Sequence, residues 1–234
     1  LTIDRFQVKI KDFISTVDRQ LTPNLCDDTV DRFRGDQLTR GTTPLIPGAT
    51  YVLTDVNEHL ENSATQKIAG VDIDLRYGLK LPSAGDLDLS LVTTIYDKAE
   101  FVPLPGQAPI DLLGKAGGST TQQGYVRMTA NGNVGWRMGK LKANWNFRHI
   151  GSADMAVGTT EDGFPKIGAH TYHNVRVGFE FAKDSEVFAG VTNLFDKKPP
   201  FFASGTSGTQ ALDTVPAYYD IFGRSYFVGV KAKF

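Results

Sequence analysis

A few residues in this sequence have the types that proteins use to bind metals. His170 and His173 lie three positions apart in "HTYHN" and could supply two imidazole ligands. On an extended strand, residues at i and i+3 point to opposite faces, so this pair cannot easily share one ion. His59 and His149 lie in other segments. The pattern predicts structural histidines and no metal site.

Catalytic chemistry has equally little support. Ser152, His149 and Asp154 contain the residue types of a hydrolase triad, but no nucleophile elbow or oxyanion arrangement accompanies them. The glycine-rich stretch "GKAGGST" (114–120) lacks the Lys-Ser/Thr ending of a phosphate loop and precedes no helical pattern. Cys26, the single cysteine, cannot form an internal disulfide. We therefore expect no enzyme activity, no catalytic residue and no cofactor.

Composition narrows the class of protein further. The 234 residues include 25 basic and 26 acidic side chains, and this balance gives no electrostatic basis for nucleic-acid binding. With 24 glycines, 15 phenylalanines and 8 tyrosines, the chain favours sheets and turns over helices. No apolar run reaches the length of a transmembrane helix, but membrane β-barrels carry their lipid face in alternating residues instead.

Eight segments alternate with a period of two and predict antiparallel strands. In order they are "LTIDRFQVKIKDFI", "QKIAGVDIDLRYGL", "DLDLSLVTTIY", "YVRMTANGNVGWRM", "LKANWNFRHI", "TYHNVRVGFEF", "EVFAGVTNLF" and "FGRSYFVGVKAKF". Three links are short, namely "PSAG", "GK" and "KDS", and they alternate with long loops near 15–56, 97–122, 151–169 and 197–221. Tight turns at one end and long loops at the other are typical of outer-membrane barrels.

Aromatic residues agree with a membrane-spanning sheet. In each strand, the alternate residues that are mainly apolar form what we call the apolar phase, and the others form the polar phase. Four strands run toward the tight-turn end, and each has an aromatic residue of the apolar phase near that end: Tyr77, Trp136, Phe181 and Phe234. Amphipathic rings prefer the boundary between hydrocarbon and headgroups, so we predict that these four mark an interface. General strand propensity for aromatics is the alternative explanation.

The polar phase predicts a wet interior. Five arginines fall in it: Arg76, Arg127, Arg137, Arg148 and Arg176. We expect them to line a lumen and to pair with Asp72, Asp74 and Glu180 or with a plug. A role in selecting anionic ligands is the alternative. In the last strand, Tyr226, Val228, Val230, Ala232 and Phe234 form the apolar phase, which we expect to face lipid.

Two stretches near the C-terminus resemble one protein family. "GVTNLFDKKPPF" (190–201) and "YYDIFGRSYFVGVKAKF" (218–234) resemble the end of TonB-dependent outer-membrane receptors, whose penultimate strand reads G-V-x-N-L-F-D-K-x-P-P and whose last strand follows Y-D-x-x-G-R-x-Y and ends on Phe. "NSATQKIAGVDIDLRY" (62–77) is similar to a recurrent strand of that family, in which an Asn precedes a Gly-x-[DE] triplet by eight positions.

The resemblance implies a fold and a role. It implies that residues 1–234 are the C-terminal portion of a 22-stranded transmembrane β-barrel in the outer membrane of a Gram-negative bacterium, with plug, energy-coupling motif and earlier strands absent. It implies uptake of a scarce small ligand, driven by the TonB complex through the plug. The expected partners are membrane lipid and lipopolysaccharide, the plug and remaining strands, and the barrel-assembly machinery, which would read Tyr226, Val228, Val230 and Phe234.

Two other architectures stay open. Eight strands could close into a complete barrel with a structural or adhesive role. The second strand region, about residues 57–80, is longer than the roughly 9–11 residues that cross a bilayer, which favours the large transporter instead. A soluble β-sandwich is the third possibility, because alternation by itself does not say whether lipid or protein covers the apolar face.

Overall fold

A computed structural model describes residues 1–16, 38–41, 53–57, 60–116, 124–155, 166–200 and 214–232. Within these ranges every regular element is a strand. The chain divides into two compact units. The first contains 1–8, 67–100 and 111–234, and the second contains 9–66 and 101–110. The prediction of an all-β fold is confirmed.

Most strands belong to one sheet. Its order is β1-β4-β5-β8-β9-β11-β12-β13, and β6 pairs with β5 beside that path. The bounds of these strands are β1 Thr2–Thr16, β4 Leu60–Leu81, β5 Gly85–Val102, β6 Ile110–Asp111, β8 Met128–Met138, β9 Leu141–Ile150, β11 His170–Ala182, β12 Ser185–Thr192 and β13 Ser225–Lys231. The order begins at β1 and ends at β13, and no pairing among the described strands joins these two edges.

Two strand pairs lie outside this sheet. In the first unit, β7 (Lys115–Ala116) pairs in parallel with β10 (Asp154–Met155). In the second unit, β2 (Leu38–Arg40) pairs antiparallel with β3 (Leu53–Val56). All eight predicted strands are present. The fourth begins at Met128 rather than Tyr125, and the seventh ends at Thr192 rather than Phe195. The five short strands β2, β3, β6, β7 and β10 carry too few residues to show a period.

The tight turns fix the register of the strand pairs that they join, namely β4 with β5, β8 with β9 and β11 with β12. Gly85, Gly139 and Asp184 adopt positive φ values of 87°, 58° and 59° at the three short links. Glycine adopts this conformation without a steric penalty, and aspartate tolerates it better than most residues. Across the "GK" link, Met138 lies opposite Leu141, and the pairing continues to Thr129 opposite Ile150.

This register gathers apolar residues into rows on one face of the sheet, because side chains at positions i and i+2 share a face. One row across six neighbouring strands is Leu87, Trp136, Ala143, Val177, Ala189 and Val228. The next row is Leu89, Val134, Trp145, Val175, Val191 and Tyr226. We call this surface the apolar face, and the opposite surface the polar face.

In strand β1, the aromatic residue Phe6 does not lie on the apolar face. The Phe6 ring would touch a Cβ on Gly70, and it packs edge-on against Tyr96 with centroids 6.0 Å apart. Asp72, two residues beyond Gly70, accepts a 2.6 Å hydrogen bond from the Thr94 hydroxyl on the same side. Phe6 therefore lies on the polar face of the sheet. A strand's own alternation does not fix which phase matches its neighbour, since that depends on register.

Each unit has its own buried residues. In the first unit, one cluster contains Ala116, Val126, Ile150, Ala153, Ile167, Tyr172 and Tyr219. In the second unit, Phe101 is buried and packs edge-on against Phe13, with centroids 6.4 Å apart. The cluster of the first unit lies at the long-loop end of the sheet, where β8 begins and β9 ends. One of its members, Tyr219, belongs to the segment that precedes β13.

Glycines on the polar face make room for aromatic rings. Phe227 lies directly over Gly190, its cross-strand partner, and Phe188 lies over Gly229. A Cβ on Gly190 would contact the Phe227 ring and lie 2.7 Å from the Val175 carbonyl oxygen. These glycines are therefore required by close approach of a ring rather than by backbone conformation.

We predict that Gly190→Ala lowers the free energy of unfolding of the full protein by about 1–3 kcal/mol, because the added methyl overpacks the Phe227 contact. The measurement is the thermal unfolding midpoint of the purified protein. Gly168→Ala is the matched control, since a Cβ there has no atom within 4 Å and Gly168 has no positive φ. Equal midpoints for the two variants would contradict the packing explanation.

Candidate functional site

An asparagine row crosses the polar face. Asn133, Asn146 and Asn174 lie directly opposite one another on β8, β9 and β11. The Asn174 amide donates to the Asn146 side-chain oxygen at 3.2 Å, and the Asn146 amide donates to the Gly132 carbonyl at 2.9 Å. Asn174 in turn accepts from the backbone N–H of Asn193 at 2.9 Å. The row stabilises the polar face without any net charge.

Charged side chains form a network nearer the tight turns. Lys142 lies 2.9 Å from Glu180 and 3.7 Å from Glu186, and Arg176 lies 2.8 Å from Glu186. The Arg176 guanidinium also covers the Phe188 ring at 4.2 Å from its centroid. Oppositely charged side chains on neighbouring strands attract one another in this network. Such a network is compatible with a hydrated surface.

The arginines singled out from the sequence have different surroundings. Arg76 makes two hydrogen bonds to Asp74, at 3.1 and 2.9 Å, as the sequence predicted. Arg176 pairs with Glu186 rather than Glu180, while Arg148 lies over the Tyr172 ring at 5.2 Å. Arg137 lies between Asp86 and Lys142 in the register. Arg127 precedes β8, and its side chain lies near Gly114.

A cleft of about 830 Å³ opens on the polar face at the long-loop end. Its floor contains Asn131, Asn146, Arg148 and Asn174 from three strands, and its wall is the segment 216–225 before and at the start of β13. Phe222, on the rim, is 89% exposed. The cleft therefore offers amides, a guanidinium and a free aromatic ring to a ligand on this side of the sheet.

The wall of the cleft is anchored by tyrosines. The Tyr172 hydroxyl accepts from the Asp220 backbone N–H at 3.2 Å, and the Tyr218 hydroxyl donates to the Gly124 carbonyl at 2.7 Å. Tyr219 packs edge-on against His170, with centroids 5.3 Å apart. Burial raises the pKa of Tyr219 to about 12, so its phenol stays protonated in the physiological range.

The residues of the family-like motif form a clasp at the base of the last long loop. Asn193, buried and at φ 50°, donates its amide to the Lys197 carbonyl at 3.0 Å and accepts from the Lys197 N–H at 2.9 Å. Asp196 accepts from the Arg224 backbone N–H at 3.0 Å. Gly223, at φ 72°, allows the backbone turn that brings the Arg224 N–H to the Asp196 carboxylate. We call Asn193, Asp196, Gly223 and Arg224 the loop clasp.

Three of the four predicted interfacial aromatics, Tyr77, Trp136 and Phe181, lie on the apolar face near the tight turns. Tyr77 and Phe181 are 58% and 48% exposed. Trp136 donates its indole N–H to the Ala84 carbonyl in the turn at 2.7 Å, so its polar edge points toward the end of the sheet. Phe234 lies outside the described residues. That these rings share one membrane depth stays a prediction.

A second aromatic cluster occupies the apolar face farther from the tight turns. Trp145 stacks on His173 with 5° between the ring planes and donates to its Nδ1 at 3.2 Å. Phe147 packs beside both rings, and Phe195 meets His173 edge-on at 5.2 Å. On β11, His173 and Phe181 are eight residues apart, or roughly 27 Å along the strand. Two aromatic levels at about that separation bound an apolar band on outer-membrane barrels.

Sequence reasoning missed this second cluster, although a signal existed. The tight "GK" link sets Gly132 opposite Phe147 and Val134 opposite Trp145. That register shows that the tryptophan lies on the apolar face even though "NWN" surrounds it with amides. Of the proposed assembly signal, Tyr226, Val228 and Val230 lie on the apolar face of the edge strand β13 and are strongly exposed.

The side chains considered for catalysis and metal binding have other partners. The His149 Nδ1 bonds the Thr171 hydroxyl at 2.8 Å, and Asp154 pairs with Lys115 and Lys166 rather than with His149. His170 bonds the Lys198 carbonyl at 2.8 Å. Among the described residues, no group of three or more histidine, cysteine, aspartate or glutamate side chains could hold a metal ion. His59 and Cys26 fall outside those ranges.

An antiparallel sheet with one apolar and one polar face, whose strands are joined by alternating tight turns and long loops, has the features of a β-barrel wall. The family model described as TonB dependent receptor-like, beta-barrel, matches residues 1–194, and the chain belongs to this family. The family consists of receptors and transporters, not enzymes. No curated protein matches the sequence.

Solved structures agree on the fold. The ferric enterobactin receptor PfeA of Pseudomonas aeruginosa superposes with a TM-score of 0.58 at 17% identity, over 99% of this chain and 28% of that chain. The siderophore receptor PirA of Acinetobacter baumannii gives 0.57 at 17% identity, over 99% and 29%. The FrpB iron transporter of Neisseria meningitidis gives 0.51 at 14% identity, over 99% and 28%.

These comparisons confirm the family and the β-barrel fold class predicted from the sequence. The chain spans less than a third of the length of these structures. Over the described ranges, no helix is long and apolar enough to cross a membrane.

We predict that Asn193→Ala loosens the base of the last loop, because it removes two side-chain hydrogen bonds of about 1 kcal/mol each and places alanine at positive φ. Amide exchange at Lys197 and Arg224 should accelerate by at least tenfold. Asn193→Gly is the control that relieves the backbone strain but still lacks the amide. If Asn193→Gly exchanges like the parent, the side chain does not hold the clasp.

The clasp should also weaken in acid. The backbone N–H of Arg224 first, and Lys198 second, hold the pKa of Asp196 below its usual value. A lowered folded-state pKa contributes stability above the unfolded value, and this stability is lost as pH falls through the folded value. Exchange of the Arg224 amide, corrected for intrinsic rates, should therefore accelerate below about pH 4. Asp196→Asn, which cannot ionise, should show no such acid step.

Proposed function

We propose that this chain forms the C-terminal part of the barrel wall of a TonB-dependent transporter in the outer membrane of a Gram-negative bacterium. The observation that carries the proposal is the apolar face, which continues in register across six strands and has aromatic clusters near both ends. In hydrocarbon, every backbone N–H and C=O needs a partner, and a paired sheet supplies one for each residue between its edges. The role in energy-coupled transport is inferred from the membership of the chain in the TonB-dependent receptor family.

The polar face is the interior of the barrel in this proposal. Its asparagine row and ion network tolerate water and a plug, whereas its cleft lies at the end where the long loops would meet an external ligand. The plug, contacted by TonB at the inner membrane, would release the ligand into this hydrated interior. Among the described strands, β1 and β13 each have a sheet neighbour on one side only, and these are the positions where the remaining strands of the barrel would add.

The ligand is a scarce small molecule recognised at the long-loop end. The structures named above include a ferric enterobactin receptor, a siderophore receptor and an iron transporter. A ferric siderophore is therefore the first ligand to test. Within this proposal, Arg148 and Phe222 are the described side chains that we expect to contact it, one by charge and one by ring stacking.

Lipid exposure is tested with spin labels in the full receptor reconstituted in bilayers. Labels at Val134 and Val230, on the apolar face, should collide with dissolved oxygen more than with a water-soluble nickel chelate. A label at Asn144, on the polar face, should show the opposite preference. If the nickel chelate reaches Val134 and Val230 and oxygen does not, the apolar face is not in lipid and the barrel-wall proposal fails.

Energy coupling is tested separately in cells. Uptake of radiolabelled iron from a panel of ferric siderophores should require both the receptor gene and TonB, and Arg148→Gln should lower the uptake rate by about fivefold or more by removing one charge contact. Arg137→Gln, also on the polar face but outside the cleft, is the control. Uptake that persists without TonB would contradict the coupled mechanism while leaving the barrel wall intact.

A further inference from the structure

The wall of the polar-face cleft has no strand partner of its own. Residues 214–223 contain turns and bends but no strand, and one turn is closed by the N–H groups of Tyr218 and Tyr219, which both donate to the Val215 carbonyl at 3.0 Å. Phe222 on the rim is 89% exposed, whereas Tyr219 is only 2% exposed. The position of the wall therefore depends on the contacts of its buried side.

That buried side contacts two other long connections, the one from β5 to β8 and the one from β9 to β11. The cluster that buries Tyr219 includes residues of both connections, namely Ala116, Val126, Ala153 and Ile167. Tyr218 packs against the same cluster, and its hydroxyl donates to the Gly124 carbonyl at 2.7 Å. The wall is thus attached to parts of the chain that are far from it in sequence.

The two connections are also joined to each other. The parallel pair of β7 and β10 links one to the other, and the Asp154 carboxylate lies 3.5 Å from the Lys115 ammonium and 3.6 Å from that of Lys166. Ala153 and Ile167 exchange backbone hydrogen bonds of 3.0 and 2.8 Å. We call this joined structure the loop brace, and it comprises residues 112–116, 124–126, 153–155 and 166–167.

The loop brace affects the cleft only indirectly. None of its residues lines the cleft, and Tyr218 does not line it either. The hydrogen bond from Tyr218 to Gly124 nevertheless joins the wall to the brace at a partly buried position, where a lost bond would leave a carbonyl without this partner. Tyr218 can therefore influence a bound ligand by fixing the wall, without touching the ligand.

We propose that the loop brace positions the cleft wall for ligand binding, and that Tyr218 is the positioning residue that joins the two. The inference rests on the proposed function, because it assigns ligand binding to the cleft. When the bond is made, Asp220 and Phe222 are held at the edge of the cleft floor. When it is lost, the wall also occupies other positions, and the apparent affinity falls with the fraction of molecules whose wall is in place.

The first experiment measures the wall without a ligand. A nitroxide is attached through Phe222→Cys in the full receptor, on a Cys26→Ser background, and its mobility is read from the electron paramagnetic resonance spectrum. Tyr218→Phe keeps the ring but removes the bond, so the label should become more mobile. Tyr219→Phe is the adjacent control, since the buried Tyr219 hydroxyl has no hydrogen-bond partner among the described residues, and its label should move as in the parent.

The second experiment measures uptake in cells that carry the native Phe222. The probe is the radiolabelled ferric siderophore that the parent takes up fastest in the panel described above. Tyr218→Phe should raise the half-saturating concentration about threefold, as expected for the loss of one hydrogen bond, at an unchanged maximal rate. A purely structural defect would instead lower the amount of assembled receptor and thus the maximal rate. Tyr77→Phe, which removes a hydroxyl at the tight-turn end, should leave both values unchanged.

A third variant changes the loop brace from its own side. A Cβ on Gly124 would lie 2.7 Å from the Lys115 carbonyl oxygen, so Gly124→Ala should displace the acceptor of the Tyr218 bond. It should mobilise the label at position 222 and raise the half-saturating concentration. Combined with Tyr218→Phe it should add little, because both changes act through one contact. Gly168→Ala is the control, since a Cβ there has no atom within 4 Å.

The outcomes separate this inference from the proposed function. If the label is equally mobile in Tyr218→Phe and Tyr219→Phe, or if the half-saturating concentration of Tyr218→Phe equals that of the parent, the positioning role is wrong, and TonB-dependent uptake by the parent still supports the transporter. If the effects of Gly124→Ala and Gly168→Ala are the same, the loop brace does not position the wall. If uptake by the parent does not require TonB, the coupled mechanism fails, while the label and the half-saturating concentrations still decide the role of Tyr218.

Discussion

The pairing of backbone polar groups along a two-faced sheet is the constraint on which this structure depends. Side chains alternate with a period of two, so one set of residues forms an apolar surface and the other set forms a polar surface. The register then decides whether the two sets form continuous surfaces. From β5 to β13 they do. The tight turns at 139–140 and 183–184 hold β8 with β9 and β11 with β12 in phase, and the pairings of β5 with β8, β9 with β11 and β12 with β13 continue the same phase.

The C-terminal sequence motif that resembles the family has a structural explanation. Asn193 closes the first turn of the last long loop, Asp196 binds the backbone that returns at Arg224, and Gly223 adopts the left-handed conformation that this return requires. These residues thus hold the two stems of a loop together where strands β12 and β13 end and begin. A loop that is fixed at its base can vary along its length without disturbing the sheet.

Side chains on the two faces are stabilised in different ways. The polar face relies on amide rows, ion pairs and rings that cover glycines, as Phe227 covers Gly190. The apolar face relies on ring contacts such as Trp145 on His173, which also shields a histidine that would otherwise be costly in apolar surroundings. The hydrogen bond from the indole N–H to Nδ1 satisfies the indole donor and one of the two imidazole nitrogens.

The sequence by itself determined the strands, the short turns, the family and the face of the sheet on which most residues lie. It could do so because alternation and turn chemistry are local properties. It also placed Arg76 and Asp74, which lie two positions apart on one strand, in the same polar set. Only the tertiary structure decided which residues meet across strands. Arg176 pairs with Glu186, Phe6 lies on the polar face, and Trp145, Phe147, His173 and Phe195 form one cluster, since each contact depends on register or on a loop returning to the sheet.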